Sequence, residues 1–241
     1  MAASPIEQFE VYPLLPIQVG NLDLSFTNSS LWMVFAVALS TVILAVSARG
    51  GALVPSRLQS VSEMMYELVA NMVRDNVGSG GRKYFPFIFT LFVFVLFANL
   101  LGMIPHSFTV TSHLIVTFAL AAVIFIGVTI IGFYRHGFGY LRMFFPHGAP
   151  LWTAVILVPV ELVSYLSRPV SLSVRLFANM TVGHVLLKVI AGFVVSLGVF
   201  GIFPFVFLIA LSALELFIAA LQAYVFAILT CIYLHDALHM H

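Results

Sequence analysis

Ser164 to Lys188 reads SYLSRPVSLSVRLFANMTVGHVLLK. The stretch is too apolar for a water-facing surface, yet it carries three full basic charges, Arg168, Arg175 and Lys188. Arg175 decides the reading. Leu172, Val174, Leu176 and Phe177 wall it in, and no Asp or Glu lies within ten residues on either side. A guanidinium cannot escape a low dielectric by losing its proton, because its pKa stays above about 12. At bilayer depth such a charge costs at least roughly 2.5–3.5 kcal/mol on insertion scales, so it has to face protein, water or a partner charge. Two readings follow. Arg175 either snorkels to a surface or pairs structurally in a bundle, or it guards an ion path. Its mid-span position favours the second.

Composition supplies the setting. Of 241 residues, 62% are hydrophobic and only 8% charged, and the mean hydropathy is +1.12. Soluble domains carry about 25% charged residues. These values predict an all-α integral membrane protein, a single membrane domain without room for a separate soluble catalytic domain. One cysteine, Cys231, excludes an internal disulfide and a multi-cysteine metal site. It lies in an apolar run and reads as a packing residue. A net charge of +1 makes no case for nucleic acid. Met1 to Ser30 holds no Lys or Arg and no apolar core of signal-peptide length, so no signal peptide is expected.

Outward from the central stretch, the pattern predicts five transmembrane helices and one amphipathic surface helix. Residues 1–30, with Glu7, Glu10, Asp23, Pro5, Pro13 and Pro16, form an acidic, irregular arm. The first span is 31–48, ending at Arg49-Gly50-Gly51. In 55–77, Leu58, Val61, Met65, Leu68 and Met72 recur at spacings of three and four, while Ser62, Glu63, Glu67, Asn71 and Arg74 fall off that stripe. That is a helix for a membrane surface, although one packed on a soluble partner would show the same pattern. The second span, 84–104, carries one deep polar group, Asn99, and is closed by Pro105-His106. The third is 112–134, followed by a loop with Arg135, His136, Arg142 and His147. Two long helices within 151–197 and 204–234 form a hairpin across Gly198 and Gly201, and His235 to His241 is a polar tail.

The second helix of the hairpin spans roughly 45 Å at 1.5 Å per residue, against a hydrocarbon core of about 30 Å. A long inclined or bent hairpin is therefore expected, with Pro159 and Pro169 as bending points. If the first three spans alternate, Arg49, Arg57, Arg74, Arg82, Lys83, Arg135 and Arg142 share one side, which is then the inner one. The acidic arm lies outside.

A polar ribbon runs along the first long helix. Glu161, Ser164, Arg168, Ser171, Arg175 and Asn179 fall within an arc of about 80° at 3.6 residues per turn. Interhelical hydrogen bonding would account for the serines. It would not account for a ribbon with Glu161 at one end and Arg175 inside it. His184 lies about half a turn round from Arg175. On the returning helix Glu215 and Gln222 share nearly one face, and counting from the turn sets His184 level with Glu215 and Arg175 level with Gln222. A His–Glu pair is suited to proton relay, since histidine titrates near physiological pH. A static buried pair is the competing reading. Lys188 reads as a snorkelling anchor. His235, His239 and His241 sit in the tail, His106 and His113 at an outer loop, and His136 and His147 at an inner one. None lies opposite another histidine at mid-span, as a bis-histidine haem requires, so neither cofactor nor metal is expected.

PVELVSYLSRPVSLSVRLFANMTVGH at 159–184 and LQAYVFAILTCIYL at 221–234 closely resemble the signature of subunit a of F-type ATP synthases. NLLGMIP in the second span, the surface helix and the span order extend the resemblance over essentially the whole chain, most weakly before Leu31. The resemblance implies a non-catalytic, proton-conducting stator against a ring of c subunits, with b-type peripheral stalk subunits, the remaining synthase subunits and lipid as its other neighbours. Arg175 matches the family's essential arginine, and Asn179 and Gln222 match polar positions beside it. Glu161 and Ser164 match the inner half-channel. Asn99, His184 and Glu215 match the outer one. Histidine first and acid second resembles mitochondrial and alphaproteobacterial members, which implies an energy-transducing membrane, a bacterial plasma membrane ahead of the mitochondrial inner membrane.

From another class, a haem- or quinone-binding subunit of a respiratory complex would also be apolar and helical, but would want the facing mid-span histidines this sequence lacks. A purely structural anchor leaves Arg175, His184 and Glu215 unexplained. No Gly-rich segment ends in Gly-Lys-Ser/Thr, so the chain itself is not expected to hydrolyse ATP.

Overall fold

The structure, a computed structural model, describes residues 9–16, 18–19, 22–23, 25–49, 55–104, 107–144 and 154–239. Expectations for Pro5, Glu7, Gly50-Gly51, Pro105-His106, His147, residues 151–153 and 240–241, and the side chains of Asp23 and Arg142, lie outside them. The described residues form six α-helices: α1 (Asn28–Arg49), α2 (Arg57–Val77), α3 (Phe85–Gly102), α4 (Leu114–His136), α5 (Ala154–Ser196) and α6 (Ile202–Leu238). All but α2 are long and apolar enough to cross a membrane. The protein is an all-α membrane protein.

Local chemistry sets several boundaries. Ser56 caps α2 by accepting the Gln59 amide at 3.3 Å. Pro86 stands in the first turn of α3, where its missing N–H leaves no gap in the ladder. Gly198, at φ 54°, opens the reversal between α5 and α6, a backbone region that disfavours larger residues.

The arm differs from the irregular segment expected. Two short antiparallel pairs form there, β1 (Pro13–Leu15) with β4 (Phe26–Thr27) and β2 (Gln18–Val19) with β3 (Leu22–Asp23). Pro13 takes the first place of its strand, which tolerates a missing donor. Asn28 ties the arm to α1. Its Oδ1 accepts the Tyr12 and Ser29 amides and its Nδ2 donates to the Glu10 carbonyl.

The core gathers around α6. Ala219, Ala223, Ala227 and Cys231 recur every four residues and are fully buried. Small side chains at that spacing let neighbouring backbones approach closely. Against them pack Ile88, Leu91 and Val95 of α3, Ala121 and Ile124 of α4, and Leu172, Leu176 and Met180 of α5. The C-terminal half of α2 joins this core through Val69, Met72, Val73 and Val77. Leu58, Val61 and Leu68, nearer its start, are exposed, so only part of the apolar stripe packs on protein. α6 does not stop at the expected polar tail. The helix runs on to Leu238, and Ala237 and Leu238 are buried against the rest of the core.

At 43 and 37 residues, α5 and α6 measure about 65 and 56 Å. Each is roughly twice the thickness of a hydrocarbon core. They pack against each other as a hairpin, with the 3-10 turn Gly198–Gly201 between them. An upright crossing would carry much of their apolar length beyond the hydrocarbon core, and length alone does not fix a tilt.

Candidate functional site

The hairpin presents one closed polar cluster and one open polar face. In the closed cluster, His184 of α5 and Glu215 of α6 are 8% and 4% exposed. His184 Nδ1 lies 3.7 Å from Glu215 Oε1, within ion-pair reach but beyond a hydrogen bond. Gly183 makes that approach fit, because a Cβ there would fall 2.6 Å from Glu215 Oε1. Neither Glu215 oxygen has a hydrogen-bond partner among the described residues.

One turn further along α6, Asn99 of α3 donates its Nδ2 to the Ala219 carbonyl at 3.1 Å and is itself completely buried. Gln222, 1% exposed, accepts from Asn179 Nδ2 at 2.9 Å. Counting from the turn set Gln222 level with Arg175, and its hydrogen bond goes to Asn179, one turn beyond that arginine.

Arg175 and Asn179 are exposed on α5, as are Ser164 and Ser171, while Glu161 and Arg168 are half-buried. No hydrogen bond or ion pair holds Arg175 among the described residues. Val170, Val174 and Val182 are exposed on the same helix, and Leu214, Phe217 and Leu221 are exposed on α6. The Arg175 guanidinium stays protonated in any surroundings.

Arg168 differs. Its Nη1 donates to Asp236 Oδ2 at 3.0 Å, and its guanidinium lies over the Tyr165 and Tyr233 rings. The Tyr165 hydroxyl in turn meets Thr129 Oγ1 at 2.6 Å and the Tyr140 hydroxyl at 3.1 Å. The expected polar tail therefore hides an ion pair between α5 and the end of α6. The partners are 68 residues apart, so no sequence periodicity links them.

Residues 107–112 were also missed. Sequence placed 107–111 in a short outer loop and Ser112 at the start of the third span, and a loop is ordinarily a surface feature. Ser107, Phe108, Thr109, Val110, Thr111 and Ser112 are all 9% exposed or less. Thr109 Oγ1 reaches His184 Nε2 at 3.2 Å. A polar run of Ser and Thr between two apolar spans was the available signal. Next to it His113 stacks on Phe108, and burial holds its imidazole below the usual histidine range.

Fold and site together define a class: a multi-pass helical membrane protein with a buried His–Glu pair and an unpaired arginine on one hairpin. Residues 30–235 match the family described as ATP synthase A chain, and the chain belongs to that family. It is 65% identical to ATP synthase subunit a of Paramagnetospirillum magneticum, over 99% of this chain and 100% of that protein. It is 64% identical to that of Rhodospirillum rubrum over 99% of each chain, and 55% identical to that of Pelagibacter ubique over 100% of each. The chain is thus a bacterial multi-pass membrane protein and a membrane subunit of an ATP synthase.

Proposed function

We propose that the α5–α6 hairpin is a non-catalytic proton path of two offset half-channels, kept apart by Arg175 and facing a ring of c subunits. The observation that carries this reading is Arg175 itself: exposed on an apolar face, permanently charged, and without an ion-pair partner among the described residues. A mid-membrane carboxylate on a passing c subunit supplies the missing charge. The guanidinium lowers that carboxylate's pKa and so favours release of its proton. It also repels a proton moving directly from one half-channel to the other. Asn99, His184 and Glu215 line the outer half-channel, Glu161 and Ser164 the inner one, and Asn179 with Gln222 flanks the arginine.

A protonated ring carboxyl is neutral and can turn into lipid. Each charge that crosses releases about 2.3 kcal/mol per 100 mV, which drives rotation only if leakage past Arg175 is blocked. The b-type stalk subunits hold this chain still against the ring. The exposed apolar strip of α2, Leu58, Val61 and Leu68, suits the inner bilayer surface.

Arg175→Ala in the assembled complex, reconstituted in vesicles, is the test. Coupled ATP synthesis is expected to vanish and passive proton permeability to rise. Arg175→Lys should restore synthesis poorly, since it keeps charge but loses the planar fork. Near-normal synthesis by Arg175→Ala would reduce the arginine to a structural residue.

A further inference from the structure

We infer that Thr109 is a positioning residue of the outer path: its hydroxyl oxygen accepts the Nε2–H of His184, leaving the lone pair of His184 Nδ1 turned towards Glu215. The inference rests on the half-channel reading for its consequence, but on hydrogen-bond accounting for its geometry.

Thr109 Oγ1 lies 3.2 Å from the Gly102 carbonyl and 3.2 Å from His184 Nε2. A hydroxyl has one proton to donate and two lone pairs with which to accept. The Gly102 carbonyl can only accept. It ends α3, so it is one of the four carbonyls a helix leaves without an internal partner. Ser107 is the other hydroxyl in reach, at 3.1 Å, but it lies closer, at 2.7 Å, to both the Leu101 and the Ile104 carbonyls. With the Ser107 proton used there, the Thr109 proton goes to Gly102. Thr109 then faces His184 with a lone pair, and only a protonated Nε2 can complete the contact. Neutral imidazole carries one proton, so Nδ1 is bare.

The consequence is directional. A proton carried by Glu215 passes to His184 Nδ1, where an N–H bond forms as the carboxylic O–H breaks, giving imidazolium and carboxylate. The same nitrogen returns it. Nε2 keeps its own proton throughout, so the ring acts as an anchored base rather than handing protons from one nitrogen to the other. The charged groups that face this ring are Glu215 on α6 and Lys188 one turn further along α5.

The anchor is itself held. Ser112 Oγ donates to the Thr109 carbonyl at 2.6 Å, and Thr181 Oγ1 of α5 donates to the Ser112 carbonyl at 3.3 Å. The Thr109 methyl fills the space over Gly102, where a Cβ would lie 2.7 Å from it. That packing selects the variant to use. Valine keeps the shape and removes only the hydroxyl, whereas serine keeps the hydroxyl and loses the methyl.

The complex is prepared with 15N-labelled histidine imidazoles and studied by solid-state NMR at pH 8, with His184 resonances assigned by difference against His184→Asn. The expected native pattern is a protonated Nε2 and an unprotonated Nδ1. Thr109→Val should mix or reverse it, and Thr109→Ser should retain it. ATP-driven proton pumping should slow about five-fold in Thr109→Val, the factor one hydrogen bond commands, and recover in Thr109→Ser. A protonated Nδ1 in the native complex, or a pattern indifferent to Thr109→Val, overturns the inference whatever the flux. If His184→Ala pumps normally while the NMR pattern holds, the half-channel reading fails and the contact stands.

Discussion

His184 and Arg175 lie nine residues apart on one helix, and the fold treats them in opposite ways. His184 is 8% exposed and meets a carboxylate from α6 on one nitrogen and a loop hydroxyl on the other. Arg175 is exposed and unpaired among the described residues. A buried polar group draws on what the fold brings to it, as His184 does with Glu215 and Thr109. A charge left open on an apolar face is satisfied only in an assembly. On the proposed reading, the contrast separates what this chain completes alone from what it leaves for another subunit. Arg168 is the control between them, a cation of the same kind on the same helix that the chain does complete, through Asp236.

Substitutions can break that contrast. After the loss of coupling expected of Arg175→Ala, the next largest effect belongs to Gly183. In Gly183→Ala the new methyl would fall 2.6 Å from Glu215 Oε1, so the carboxyl has to turn away from His184, and ATP-driven proton pumping should fall roughly ten-fold. Unchanged pumping would mean that the closed cluster has room to spare.

His184→Ala and Glu215→Gln should each slow pumping, and together by less than the product of their separate effects. A coupling of about 1 kcal/mol is expected for groups in contact. Strict additivity would mean that the two act on different paths.

The smallest effect is expected where α6 ends. Arg168→Gln, Asp236→Asn and the double variant should each loosen the last turn of α6, the two that lack Arg168 more so because the Tyr165 and Tyr233 ring contacts go as well. The pair is partly exposed, so it contributes at most about 1 kcal/mol, or roughly five-fold in amide hydrogen exchange over residues 233–238. Pumping that collapses in these variants would move Arg168 into the same category as Arg175.

Read alone, the sequence determined the membrane class, five apolar spans, one amphipathic helix and the long hairpin. These follow from run length and period, which are local properties that a bilayer converts directly into helices. It also singled out Arg175, because a permanent charge among apolar neighbours is anomalous in any fold. Level counting from the Gly198 turn placed His184 opposite Glu215, since a hairpin is the simplest tertiary relation and nearly reduces to arithmetic.

The partners that only the tertiary structure decided are those without such arithmetic. Thr109 reaches His184 from 75 residues away, Asn99 reaches the Ala219 carbonyl across 120, and Asp236 reaches Arg168 across 68. Each is a polar group whose bond is set by how non-adjacent helices and one buried loop come together. Hydrogen bonds need a fit to within a few tenths of an ångström. A hydrophobic period fixes which face of a helix turns inward, but not which atom on a distant element lies opposite.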